Sequence, residues 1–146
     1  MKRSSGVLLP VSALPSPHGI GTFGAEAYRF IDFLAAAGQR YWQILPLGPT
    51  SVGDSPYQPF SSHAGNPYFI DLDALVRAGL LTTEEVAAPD WGNNPQRVDY
   101  GKIYVARLPL LRRAFARAGT QLRAEAIAFA EENAAWLPDY ALFMAL

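Results

Sequence analysis

Gly6-Val7-Leu8-Leu9, ended by Pro10, and Tyr41-Trp42-Gln43-Ile44-Leu45, ended by Pro46, are two short apolar runs on either side of one amphipathic segment. In that segment Ala27, Phe30, Ile31, Leu34 and Ala35 recur at the spacing of one helix face, while Glu26, Arg29 and Asp32 fall opposite. Gly38 stands where a helix closes on a left-handed residue. Strand, helix and strand in this order form a βαβ unit, which places the chain in the α/β class. Its two strands are expected to be parallel and buried on both faces.

After the second strand the pattern changes. Residues 48–67 carry Pro49, Gly53, Pro56, Pro59, Gly65 and Pro67 among Asp54, Ser55, Tyr57, Gln58, His63 and Asn66, and no apolar period survives. Loops longer than about 12–15 residues are functional or disordered, and Tyr57, Phe60 and Tyr68 favour order. Phe69-Ile70-Asp71-Leu72 leads into either a strand or a helix ending at Ala78, with Gly79 as the stop. Beyond it the chain reads as helical. Thr82-Thr83-Glu84-Glu85 is a capping box. Tyr104, Leu108, Leu111 and Phe115 form one stripe, closed by Gly119, and Pro109 inside it predicts a kink or break, at about 3 kcal/mol. Leu122, Ala126, Phe129 and Ala130 form another, and 136–146 is a last apolar segment. Two parallel strands make no independent sheet and the final segment is too apolar for a solvated end, so further chain is expected.

Composition narrows the function classes. Half of the 146 residues are apolar and 17% are charged, as in globular proteins. A net charge of −1 offers no field for nucleic acid or an anionic membrane. Cysteine is absent, which removes disulfides and thiol chemistry. The apolar stretch near the N-terminus is too short for a secretory or membrane segment, the latter needing roughly 20 apolar residues. The expected location is the cytoplasm.

Gly19-Ile20-Gly21-Thr22-Phe23-Gly24 fits the dinucleotide pattern G-x-G-x-x-G between a strand and a helix. That pattern works by turning tightly off the strand end, yet three prolines intervene here and the second strand ends without an acid for the ribose. The plainer reading is a loop whose glycines permit close packing. His18 and His63 lack partners at metal-ligand spacing, so no metal and no cofactor are expected. Lys102, Arg107, Arg112, Arg113, Arg117 and Arg123 form a basic run read as a solvated helix face with acidic partners elsewhere, against a phosphate-tracking patch.

Gly53-Asp54-Ser55-Pro56-Tyr57-Gln58 carries the chemistry that a sugar requires: hydroxyl and amide partners beside aromatic planes. It also leaves the carboxyl end of a strand, where ligands of α/β folds bind. From composition alone, a proline-braced surface loop explains it equally well.

These blocks, taken in order, resemble the 4-α-glucanotransferases of glycoside hydrolase family 77. The resemblance rests on residues 3–10, 18–24, 42–50, 53–58, 60–61, 64–68, 98–100 and 139–143, and is weakest over 82–96. It implies a (β/α)8 barrel with a mostly helical insertion. Residues 1–80 would supply the first β/α units with the substrate loop 48–67, and 81–146 would belong to the insertion. A whole barrel takes about 250 residues, so this stretch is the N-terminal part.

The family is similar to retaining transglycosylases that move a segment of an α-1,4-glucan to another glucan, which takes two carboxyl groups about 5–5.5 Å apart. None of the family's catalytic acids maps here. Ser55 and Tyr57 match positions that contact the sugar, the first through a hydroxyl and the second against the ring. Asp54 and Gln58 match loop-bracing positions. Tyr100 matches one of two tyrosines of a secondary glucan site, while the other position is Val52. The implied partners are maltooligosaccharides and the remainder of the same protein. Competing readings are a non-catalytic glucan-binding module and, more remotely, a nucleotide-binding βαβ protein.

Overall fold

A computed structural model describes residues 3–50 and 53–146. Strand β1 (Gly6–Leu8), helix α1 (Ala25–Ala36) and strand β2 (Tyr41–Gln43) form the expected βαβ unit, with Val7 opposite Trp42 in a parallel register. The pairing extends at both ends, with Leu9 N donating to Gln43 O and Arg40 N to Ser5 O, each at 3.0 Å. Helix α1 stops as anticipated: Gly38 has φ +70°, and the amides of Gly38 and Gln39 satisfy the carbonyls of Ala35 and Leu34.

The expectation that both strand faces are buried fails. Phe30 of α1 meets Trp42 edge-on at 5.1 Å and covers one face. On the other, Leu8 and Tyr41 remain 56% and 65% exposed. Two strands and one helix supply cover for one side only.

Two apolar clusters hold the chain together. The first gathers Val11, Leu14 and Ala27 under Leu9, Trp42, Ile44 and Phe69, fixing the loop after β1 against α1. The second joins α2 (Leu72–Arg77), α3 (Thr83–Ala87) and α4 (Tyr100–Ala116) through Leu72, Leu81, Val86, Leu110 and Ala114. The segment at 69–72 resolves into a 3-10 turn (Pro67–Phe69) followed by α2, whose N-cap Asp71 accepts from Ala74 N at 3.0 Å. Both bonds of the Thr82–Glu85 capping box are made.

Helix α4 corrects three expectations. Its buried face is Ile103, Arg107, Leu110 and Ala114, whereas Tyr104 and Phe115 of the anticipated stripe point to solvent. It runs unbroken through Pro109. Pro109 cannot donate to the carbonyl of Val105, but both residues are exposed, so water can take that acceptor. Gly119 does not close α4, which is capped at Arg117; it is the N-cap of α5 (Thr120–Glu132). No residue of α5 is buried, its Leu122–Ala130 stripe included, and the last apolar segment forms α6 (Leu137–Ala145). No helix among the described residues is long and apolar enough to cross a membrane.

Candidate functional site

The loop that leaves β2 closes on itself. Asn66 N donates to Leu47 O at 2.7 Å, and the buried Asn66 side chain accepts from Tyr68 N at 2.9 Å. Inside this clasp Gly48 lies so close to Pro59 that a Cβ there would come within 2.7 Å of the ring. The Ser61 hydroxyl oxygen accepts from the amides of His63 and Ala64. Such internal bonding makes a compact Ω-type loop.

At its tip Gly53 (φ +94°) and Asp54 (φ +55°) are consecutive left-handed residues, and Asp54 is the one non-glycine residue with positive φ among those described. Left-handed backbone costs an L-residue roughly 1–2 kcal/mol, less for Asp and Asn. The turn then tightens, with Ser55 Oγ accepting from Tyr57 N and Ser55 O from Gln58 N, both at 3.3 Å. Because the Ser55 oxygen is the acceptor, its own proton is available to a ligand. The turn projects Tyr57, 68% exposed, into solvent. Ser55, Tyr57, Asp54 and Gln58 therefore sit on one short turn, a flat aromatic face beside hydroxyl, carboxylate and amide groups.

Tyr100 reaches this turn from a different element. It opens α4, where Asp99 caps the helix by accepting from Lys102 N, and it shares with Asp54 a cavity of about 440 Å³. Burial, then the Asp54 charge, pushes the Tyr100 phenol above its ordinary value, against a lowering contribution from the Ser12 hydroxyl. Tyr68 is raised by burial first and by Asp54 next. Both phenols thus keep their protons in the field of the carboxylate. Val52, the other position of the secondary glucan pair, lies outside the described residues.

The opposite flank of the loop rests on α6. Phe60 meets Phe143 at 5.8 Å, and His63 stacks on Trp136 at 5.5 Å with 23° between the planes. These aromatic supports, and Tyr68, were not assigned a role from sequence; the signal was an unusual density of rings in a loop without apolar period.

The other motifs resolve as structure. A Cβ on Gly21 would lie 2.0 Å from Val11 O, and one on Gly24 would meet the Asp71 carboxylate at 2.5 Å. The glycines of the dinucleotide-like pattern therefore admit the chain's own groups. His18 pairs with Asp73 at 3.0 Å against the Trp91 ring.

Three of the six residues of the basic run find acids. Lys102 pairs with Asp90, while Arg113 and Arg117 converge on Glu85. Arg107 departs from the solvated-face reading. It is wholly buried and donates to the carbonyls of Ile70 and His18. Burial lowers its pKa to about 10, the charge of Asp71 acting in the opposite sense, so it stays a cation at neutral pH.

The family model described as 4-alpha-glucanotransferase (glycoside hydrolase 77) matches residues 9–146. A 4-alpha-glucanotransferase from Streptococcus pneumoniae is 53% identical over 99% of this chain and 29% of its own length. One from Thermus thermophilus is 49% identical over 100% of this chain and again 29% of its own. The structure of an amylomaltase from Streptococcus agalactiae in complex with acarbose superposes with a TM-score of 0.94 at 43% identity, covering 99% of this chain and 29% of that one. The chain thus spans less than a third of the length of these relatives.

Proposed function

The chain belongs to the 4-alpha-glucanotransferase family, glycoside hydrolase family 77, and from that premise we propose that it is the N-terminal, substrate-contacting part of an enzyme that transfers a segment of an α-1,4-glucan to another glucan or to glucose. The observation that carries this reading is the turn at 53–58. There the Ser55 oxygen accepts from the chain and keeps its proton to donate, and the Tyr57 ring stands exposed, in the loop that leaves the carboxyl end of β2. In this role Tyr57 packs on a glucosyl ring and Ser55 donates to a hydroxyl, while Asp54 and Gln58 brace the turn. Tyr100 belongs to a secondary glucan contact.

Retaining transfer needs a carboxylate nucleophile and an acid/base about 5–5.5 Å apart. We assign neither to this chain. Asp54 is committed to a left-handed turn, a bracing position rather than one poised to attack. Residues 1–80 are read as the first β/α units of a barrel and 81–146 as part of a helical insertion. The remaining strands would cover the open face of β1 and β2, where Leu8 and Tyr41 are exposed. The setting that suits this function is cytoplasmic maltooligosaccharide, glycogen or starch metabolism.

Incubating the full-length protein that carries this chain with maltotriose tests the reading. Glucose together with longer maltooligosaccharides is the expected product set. Absence of both, from a folded protein, would overturn it.

A further inference from the structure

Tyr57 stands 68% exposed on the turn of the substrate loop, so little of its ring's direction comes from its own packing. That direction is set by the backbone of the turn and by whatever holds the backbone. On the near side the holder is the loop's own clasp, with Pro59 against Gly48 and Asn66 N bonded to Leu47 O. On the far side it is a different part of the chain. Phe60 meets Phe143 of α6 at 5.8 Å, and the His63 ring stacks at 5.5 Å on Trp136, the N-cap of α6.

The receiving surface is itself fixed. Trp136 Nε1 donates to Asn133 Oδ1 at 2.9 Å, and Asn133 Nδ2 donates to Phe129 O at 2.8 Å, which ties the indole to the end of α5. Tyr140, one helical turn further on, lies beside the same ring at 5.9 Å. Between loop and helix lies a cavity of about 420 Å³ lined by Phe60, His63, Trp136 and Phe143. The two are therefore joined through a few rings and not through continuous packing. Phe60 follows Tyr57 after Gln58 and Pro59, and that path is stiff. Ser55 O accepts from Gln58 N at 3.3 Å, and Pro56 and Pro59 have a fixed φ. A displacement of Phe60 is passed to Tyr57 and not absorbed on the way.

We propose that Trp136 and Phe143 are positioning residues for the glucan contact: by holding His63 and Phe60 they aim the Tyr57 ring at the sugar. The inference rests on the glucan-transfer reading above and adds to it residues of a separate element that touch no substrate. Phe60 and Phe143 are 46% and 58% exposed, and His63 is exposed as well. These contacts bury too little surface to decide whether the protein folds, so their effect belongs to substrate binding.

The test is maltotriose transfer by the full-length protein, arranged as a double-mutant cycle with Tyr57→Ala. His63→Ala and Trp136→Ala should each raise KM about fivefold, the weight of one aromatic pair, with kcat unchanged. His63→Phe, which keeps a ring on Trp136, should restore the wild-type KM. Added to Tyr57→Ala, neither alanine substitution should lower kcat/KM further, because the ring they aim is gone. His63→Ala carries the cycle alone where Trp136→Ala does not fold. Losses that multiply in the double variant, no rescue by His63→Phe, or a wild-type KM in His63→Ala would each overturn the proposal and leave the transfer reading intact. No transfer by the folded wild-type protein would overturn both.

Discussion

Arg107 donates its guanidinium to the carbonyl of Ile70, joining the middle of α4 to the segment that leads from the substrate loop into α2. A second, longer bond runs to His18 O at 3.4 Å, so one buried side chain also holds the loop after β1. The two parts of the chain are thereby fixed to each other near Tyr68 and Tyr100. Removing the guanidinium takes the donor from two carbonyls and leaves a void. Arg107→Ala is expected to destabilise the protein by about 3 kcal/mol. Arg107→Met, which restores volume without donors, should recover part of that loss in urea unfolding. Equal stability of Arg107→Ala and wild type would contradict this role.

Gly21 and Gly119 separate steric need from mere occurrence. A Cβ at Gly21 collides with backbone at 2.0 Å, whereas at Gly119 it meets open space. Gly21→Ala should cost several kcal/mol, in the range where point substitutions are exceptional, and Gly119→Ala should stay within about 0.5 kcal/mol of wild type. Thermal unfolding of the two variants checks the contrast.

Glu85 accepts from Arg113 and Arg117 and from Thr82 N, and Arg117 together with the cap holds its pKa at about 2, below the ordinary 4.5. A depressed folded-state pKa means that the unfolded chain binds the proton first. The contribution is complete above pH 4.5 and is lost as the pH falls towards 2. Glu85→Gln should therefore melt below wild type at neutral pH, and the gap should narrow across that window. A gap independent of pH would show that the Arg113–Glu85–Arg117 fork adds nothing.

Asp54 sits at φ +55°, a conformation that Asn tolerates as well. Asp54→Asn keeps the backbone and removes the charge facing Tyr68 and Tyr100. Transfer activity of the full-length protein should fall by about tenfold or less, because the carboxylate braces the turn and takes no part in the chemistry. A loss of several orders of magnitude would make Asp54 catalytic.

Local signals were the most legible. The α1 period with Gly38 and the Thr82–Glu85 box each concern a few adjacent residues whose hydrogen bonds are settled by their own sequence. What sequence missed depends on partners far along the chain. The α4 face was read from its hydrophobic residues, but its buried centre is an arginine whose acceptors lie at His18 and Ile70, so Tyr104 and Phe115 were placed on the wrong side. Strand burial failed for a similar reason, because an apolar run shows that cover is wanted without showing what provides it. In the loop, Ser55 and Tyr57 were marked by composition and resemblance, whereas the left-handed backbone at Asp54 and the approach of Tyr100 needed three dimensions.

Tyr57→Ala in the full-length protein, assayed by maltotriose disproportionation, tests the central claim most directly. A ring packed on sugar contributes about 1–2 kcal/mol, so kcat/KM should fall about tenfold, with the same products still formed and the melting temperature unchanged. Wild-type kinetics in that variant would contradict the account, because the exposed ring at the tip of the loop would then have no part in holding the glucan.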